Sequence, residues 1–376
     1  MADLTQHIKP ESETVQAIYR YHESKRETKP RTYLGASQIG HACSRALWYS
    51  FRHCGGAEFN GRMLRLFETG DLAEPRFVAE LRAIGCEVYD VDPETGKQFE
   101  VKSIGGHFSG HMDGCARGLP EAPEAWHVLE FKTHNAKSFA DLKNKGVRDS
   151  KPMHFAQMLV YMALTGMRRA LYLAVNKDTD ELYSERVRFE ERKHGADWLL
   201  NRAAEVINAK QPPARISDNR DHPACRWCEH KPLCHGTDDC TGPAVPCSTG
   251  CRTCVHATPQ LDTDHGRWSC DKHRISLTVE GQAAGCKDHL FIPGLVTFAE
   301  VVDAGYSPDG DWTEYRNADG TTWRNSRQGS DYSSAELAKL PGPMVGAGVV
   351  DDLKGILGAE VDRVELAFEG DATNDR

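Results

Sequence analysis

The chain has 376 residues, enough for two or three domains, and its 46 basic against 55 acidic residues leave a formal charge of −9. No stretch of uncharged apolar residues is long enough to span a bilayer, which excludes a helical membrane protein. Residues 292–376 hold seven basic and sixteen acidic residues, so the acidity belongs to that region and residues 1–291 are neutral overall.

In chain order, residues 1–30 form a polar extension with a helix expected at Glu13–Glu23. Gly35–Arg52 reads as a helical region, and Met63–Gly85 as an amphipathic helix pair carrying Glu74. A strand is expected at Cys86–Asp92, two more around Gly105-Gly106 within Gln98–Asp113, and a largely buried one at Ala125–Thr133. Lys137, Lys143, Lys145, Arg148 and Lys151 make a basic segment suited to phosphate-backbone contact, followed by a helix at Met153–Thr165. Leu171–Val175 and Leu182–Phe189 alternate as a hairpin, and a helix at Glu190–Lys210 is stopped by Pro212-Pro213. Two cysteine-rich stretches come next. Trp312, Tyr315 and Trp323 among turn residues, then a helix at Ser333–Leu340, read as a small α/β appendage with a disordered end.

Chemistry concentrates at Asp113, in G-H-M-D-G, and at Glu130 and Lys132, in L-E-F-K. Residues two apart on a strand share a face, so Glu130 and Lys132 project together while Phe131 enters the core, and Asp113 must arrive from a neighbouring strand. Two carboxylates can hold a divalent cation against a scissile phosphate while the ammonium steadies the attacking water. Four residues apart, Gln157 and Tyr161 share one face of their helix, leaving Phe155, Leu159, Val160 and Met162 to cover the sheet.

D-G, then E-F-K, then Gln157-x-x-x-Tyr161 resembles the PD-(D/E)XK nuclease superfamily in its RecB-type branch, and Gly70-Asp71-Leu72-Ala73-Glu74 is similar to the segment that opens the same site. The resemblance covers roughly residues 30–236. It implies that Glu74, Asp113 and Glu130 are ligands of Mg²⁺ or Mn²⁺, that Lys132 is the catalytic lysine, and that Gln157 and Tyr161 position DNA and the active site. Relatives with an iron–sulfur cluster often have His where this chain has Glu74, whereas phage lambda-type exonucleases have Glu there. Cys43 resembles the lone N-terminal cluster ligand of the CRISPR-adaptation and AddB-type nucleases. With Cys225, Cys228 and Cys234, spaced C-x2-C-x5-C, it would complete four thiolates for a [4Fe–4S] cluster. Four-cysteine zinc is the alternative; ligand type together with the resemblance, a one-plus-three pattern around a RecB-type core, implies iron–sulfur.

Cys251, Cys254, Cys270 and Cys286 give C-x2-C-x15-C-x15-C, the pattern of a structural zinc site, with His273 or His289 as alternate ligands. Cys240 and Cys247 sit in a Pro/Gly linker and are left free. Thirteen cysteines is an odd number, and without a secretory leader metal clustering explains the spacing better than disulfides. The expected fold is therefore α/β: a restriction-endonuclease-like core, with a mixed sheet flanked by helices, plus a small zinc module and a C-terminal α/β appendage. Expected domains are an extension (1–30), a nuclease domain with an iron–sulfur cluster (31–236), a zinc module (243–291) and an acidic region (292–376). The expected function is a cytoplasmic, metal-dependent DNA exonuclease of recombination, repair or phage replication in a bacterial or phage-infected cell. It would act on single strands or duplex ends, with a replication or recombination partner on the C-terminal region and no membrane partner. The alternatives are an inactive nucleic-acid-binding or interaction protein with a nuclease-like core, and a CRISPR-adaptation-like trimming nuclease.

Overall fold

The structure is a computed structural model that describes residues 12–26, 31–55, 59–189, 195–236, 243–307 and 310–348. Cys240, the start of the helix expected from Glu190 and the chain's last residues lie outside them. The elements run α1 (Glu13–Ser24), β1 (Leu34–Gly35), α2 (Ser44–Phe51), α3 (Gly61–Asp71), α4 (Glu74–Ala83), β2 (Glu87–Tyr89), β3 (Glu100–Ser103), β4 (Phe108–His111), β5 (Gly114–Arg117) and β6 (His127–His134). They continue with α5 (Ala136–Ser150), α6 (Pro152–Thr165), β7 (Arg169–Asn176), β8 (Leu182–Arg188), α7 (Ala196–Asn208), α8 (Lys231–His235) and β9 (Ala257–Pro259). The last are β10 (Trp268–Cys270), β11 (Ile275–Leu277), α9 (Val279–Ala284), β12 (Glu300–Ser307), β13 (Gly310–Arg316), β14 (Thr322–Ser326) and α10 (Ser334–Leu337).

Two compact units emerge, and neither is continuous in sequence: Met1–Arg31, Ala57–Val101 and Gly110–Asp197 make the first, and Thr32–Gly56, Lys102–Ser109 and Trp198–Arg376 the second. The first is built on a five-stranded mixed sheet in the order β2-β5-β6-β7-β8, in which only β6 and β7 run parallel. A parallel pair needs a crossover, and α5 and α6 supply it. The polar ends of these helices are met locally: Asn135 caps α5 by accepting from the Ser138 amide, Pro152 opens α6, and Gly166 ends it at φ 75°. Helix α5 is not uniform, because Gly146 (φ 73°) breaks its last turn. On one face of the sheet Phe77, Val78 and Leu81 of α4 pack on Leu129, Phe131, Leu171 and Leu173, with the Phe77 and Phe131 rings stacked at 5.0 Å. Period-two alternation therefore sends Phe131 into this core and turns Glu130 and Lys132 the other way.

In the second unit β9, β10 and β11 form an antiparallel sheet that is not carried by cysteines alone. Trp268 of β10 is fully buried against the rings of Phe51 and His107, and the buried Arg252 donates to the carbonyls of Phe51 and Thr32. The low apolar content of residues 243–291 is thus compensated by residues far upstream. Beyond them, β12, β13 and β14 form an antiparallel meander around Tyr315 and Trp323. The helix expected at Ser333–Leu340 is the single turn α10, closed by a Ser333/Glu336 capping box.

Candidate active site

Asp113 sits between β4 and β5. Gly114 follows it at φ 142°, where an added Cβ would meet the Tyr89 carbonyl oxygen at 2.5 Å, so the D-G pair reports a close approach of β2. The Phe131 amide donates to Asp113 Oδ2 at 2.7 Å, which draws the carboxylate to the middle of β6. There the Lys132 ammonium lies 2.6 Å from Glu130 Oε1 and 3.9 Å from Asp113 Oδ2, and donates to the Phe131 carbonyl at 2.8 Å. Glu130 is fully buried, and its Oε2 has no hydrogen-bond partner among the described residues. Glu74, the first residue of α4, lines a cleft of about 470 Å³ together with Asp71, Lys132, Asn135 and Lys177.

Burial is the main force on these groups. It pushes the Glu74 and Glu130 carboxyls up to about 7, with the Asp113 charge adding to the effect and Lys132 opposing it. Asp113 is likewise raised by burial. Burial alone would lower the Lys132 ammonium, but Glu130, Asp113 and Glu74 outweigh it and the net shift is upward. Three crowded, desolvated carboxylates with one ammonium between them are an environment that a divalent cation would relieve, and the orphaned Glu130 oxygen is a donor atom of the right hardness.

Gln157 and Tyr161 are both buried. The Tyr161 hydroxyl donates to the His111 carbonyl at 2.7 Å, two residues before Asp113, and Gln157 Nε2 donates to the Tyr161 oxygen at 3.1 Å. The basic segment is less available than its sequence implies, since Lys143 pairs with Glu181 at 2.6 Å and Lys145 with Asp141 at 2.7 Å. A polar chain missed at the sequence level lies behind the site. The hydroxyl of the buried Tyr172, opposite Glu130 in register, is hydrogen-bonded to His134 Nε2 (2.8 Å) and His154 Nδ1 (2.9 Å), and Ser138 Oγ lies 3.1 Å from His134 Nδ1. Its signals were positional: His134 shares a strand face with Glu130 and Lys132, and His154 shares a helix face with Gln157.

A profile of the PD-(D/E)XK nuclease superfamily matches residues 14–235. The chain belongs to the PD-(D/E)XK nuclease superfamily. No curated protein matches it. Among solved structures, this nuclease is similar to SSO0001, at 13% identity and a TM-score of 0.35 over 59% of this chain and 96% of that one. It is also similar to the alkaline exonuclease LHK-Exo from Laribacter hongkongensis, at 17% identity and a TM-score of 0.34 over 47% and 87% of the two chains. The complex of that exonuclease with dAMP gives 14% identity and a TM-score of 0.32 over 51% and 90%. Likenesses this low transfer no residue's role.

Outside the acidic site, two sets of four cysteines lie in the second unit among the described residues. Cys43, Cys225, Cys228 and Cys234 line one cavity, where Arg45 and Arg215 stand close by: Arg45 Nη1 is 4.0 Å from Cys234 Sγ, and Arg215 donates to the Cys234 carbonyl at 2.6 Å. Burial pushes the Cys225 and Cys228 thiols up, and the neighbouring cysteines add to it. In the second set, Cys251 is near enough to feel Cys286 and Cys270, and Cys254 to feel Cys251 and Cys286, but the four sulfurs do not form one tight group among the described residues. The Leu290 amide donates to Cys254 Sγ and the His273 amide to Cys270 Sγ, each at 3.5 Å. His273 and Asp288 join Cys286 in a trio of donor atoms within 4.8 Å of one another. His289 instead faces Thr253 Oγ1 at 3.0 Å and the Gly250 carbonyl at 3.2 Å. Asp288 carries no spacing signal that sequence alone could single out.

Proposed function

We propose that this nuclease is a divalent-metal-dependent deoxyribonuclease, acting as an exonuclease on single-stranded or end-bearing DNA in recombination, repair or phage replication. The observation that carries the reading is the convergence of Asp113, Glu130 and Lys132 at the middle of β6, with a buried Glu130 oxygen left unpartnered. Glu74, Asp113 and Glu130 would hold Mg²⁺ or Mn²⁺. The ion, when bound, supplies charge to the scissile phosphate and acidifies the attacking water. Lys132 orients that water and offsets negative charge growing on the phosphate. Gln157 and Tyr161 act by fixing the His111–Asp113 segment rather than by touching DNA. The complete acidic set and its lysine favour an active enzyme over an inactive binding protein.

The same reading assigns a [4Fe–4S] cluster to Cys43, Cys225, Cys228 and Cys234, which would tie the helix after Cys43 to the segment around α8. Zinc is assigned to Cys251, Cys254, Cys270 and Cys286 in a structural role, with His273, whose Nε2 lies 3.7 Å from Cys286 Sγ, or His289 as an alternate ligand. The functional division keeps residues 31–236 for nuclease and cluster, 243–291 for zinc, and the acidic 292–376 for a protein partner. End-labelled single- and double-stranded DNA incubated with Mg²⁺, Mn²⁺ or EDTA tests the reading. Metal-dependent release of nucleotides supports it, and no cleavage with either ion refutes it.

A further inference from the structure

A second cleft in the first unit, of about 650 Å³, is lined largely by apolar atoms that include the rings of Tyr89, Phe99 and Trp126. The Tyr89 and Trp126 centroids are 5.8 Å apart, with the rings tilted by 34°. Glu87 holds the first ring directly and reaches the second through Arg117. Glu87 accepts from the Tyr89 hydroxyl at 2.9 Å through Oε1 and from Arg117 at 2.8 Å through Oε2, while the Arg117 guanidinium lies 5.4 Å from the centre of the Trp126 ring. Tyr89 nevertheless keeps 36% of its surface exposed, and Trp126 is only half-buried. Arg168 and Arg169 stand at the cleft wall, so cationic groups border an aromatic floor.

Position links the cleft to the acidic site. Cys115, which also lines it, is two residues beyond Asp113, a separation of roughly 7 Å along an extended chain. Thr165, one helical turn past Tyr161, lines it too. A strand whose phosphate lay at Asp113 could therefore place a neighbouring nucleotide here. Aromatic faces stack on any base, and arginines donate to backbone phosphates, without reading sequence.

We propose that this cleft is a base-stacking subsite for unpaired nucleotides of a DNA strand, which rests on, and narrows, the reading of the acidic site as a deoxyribonuclease. The subsite would select single strands, because paired bases cannot turn their faces to Tyr89 and Trp126. Its test is binding in EDTA, where cleavage is suppressed, of an oligothymidylate and of an abasic strand of equal length. The unaltered protein should bind the oligothymidylate more tightly. Trp126→Ala should weaken that binding roughly tenfold while leaving the abasic strand unaffected, and Trp126→Phe, which retains a ring, should stay close to the parent. Equal loss for both strands, no loss for either, or no preference of the parent for bases would overturn the proposal. Failure of the deoxyribonuclease reading registers separately, as absence of cleavage by the unaltered protein when Mg²⁺ or Mn²⁺ is supplied.

Discussion

Lys132 touches a fully buried carboxylate and lies within reach of a second, so its charge is held beside the acidic cluster, where the proposed function puts the scissile phosphate. Lys132→Ala should reduce turnover by on the order of 10²–10³-fold or more, as loss of a preorganised electrostatic donor does. Asp113→Ala and Glu130→Ala should abolish cleavage, with circular dichroism checking that the fold persists. Glu74 and Glu130, pushed up to about 7 chiefly by burial, must be deprotonated to hold a cation. Apparent Mg²⁺ or Mn²⁺ affinity should therefore fall as pH drops below about 7, with protons released on binding. Calorimetry in two buffers of different ionisation enthalpy measures that release, and a proton count of zero between about pH 6 and 8 would contradict the assignment. At this scale the sequence was legible where a short spacing maps onto one strand face, as in Glu130 and Lys132. It was silent on Tyr172, because its partners His134 and His154 meet it only through tertiary packing.

Among the elements, α6 is the lever between sheet and site, since Tyr161 reaches the His111 carbonyl while Met158 and Leu159 are buried. The hydrogen bond from its hydroxyl is worth about 1 kcal/mol. Tyr161→Phe also removes the acceptor of the buried Gln157 amide, so it should cost about 1–3 kcal/mol of stability and lower kcat more than it raises KM; unchanged kcat would remove Tyr161 from the positioning role. Strand β8 could be anticipated from its two-residue alternation, whereas β7 is buried along nearly its whole length and α6 at every residue from Ala156 to Met162, and the two are told apart by β7's short apolar run and α6's Pro and Gly ends. Two features escaped that logic. The break at Gly146 depends on a φ of 73°, and the helix expected at Ser333–Leu340 shrinks to one turn because Pro341 and Gly342 follow closely. Of the cysteine-bearing elements, α2 and α8 are those the proposed cluster would join. Cys43→Ser or Cys228→Ser should bleach a brown, anaerobically purified protein and destabilise it, whereas a colourless protein holding zinc at both centres would support the zinc alternative.

For the whole molecule, contact density groups residues 32–56 and 102–109 with residues 198–376, a pairing no local pattern could announce. Phe51 and Trp268 meet across more than two hundred residues of chain, and so do Arg252 and Thr32. A chain ending near residue 242 should therefore lose the folding of its second unit, which limited proteolysis would read. Within that unit the His107 ring is buried against the Gln260 and Arg267 carbonyls, and burial holds it down at about 4. Unfolded, it titrates near its ordinary 6.5, so between those values the unfolded chain binds the extra proton. The stability it contributes is present above about 6.5 and lost as pH falls towards 4, by at most ~1.4 kcal/mol per pH unit. Glu74 and Glu130 act with the opposite sign, so the comparison that isolates His107 is the parent against His107→Gln. Their difference in denaturant stability should shrink on acidification, and a pH-independent difference would contradict the account. The central claim, that Asp113, Glu130 and Lys132 form a metal-dependent phosphodiesterase centre, is tested most directly by digesting end-labelled single-stranded DNA with the parent and Lys132→Ala proteins in Mg²⁺, Mn²⁺ or EDTA. Cleavage by the parent with either ion, none in EDTA and sharply slowed cleavage by the variant is the predicted result; metal-independent cleavage, or undiminished cleavage by Lys132→Ala, would contradict it.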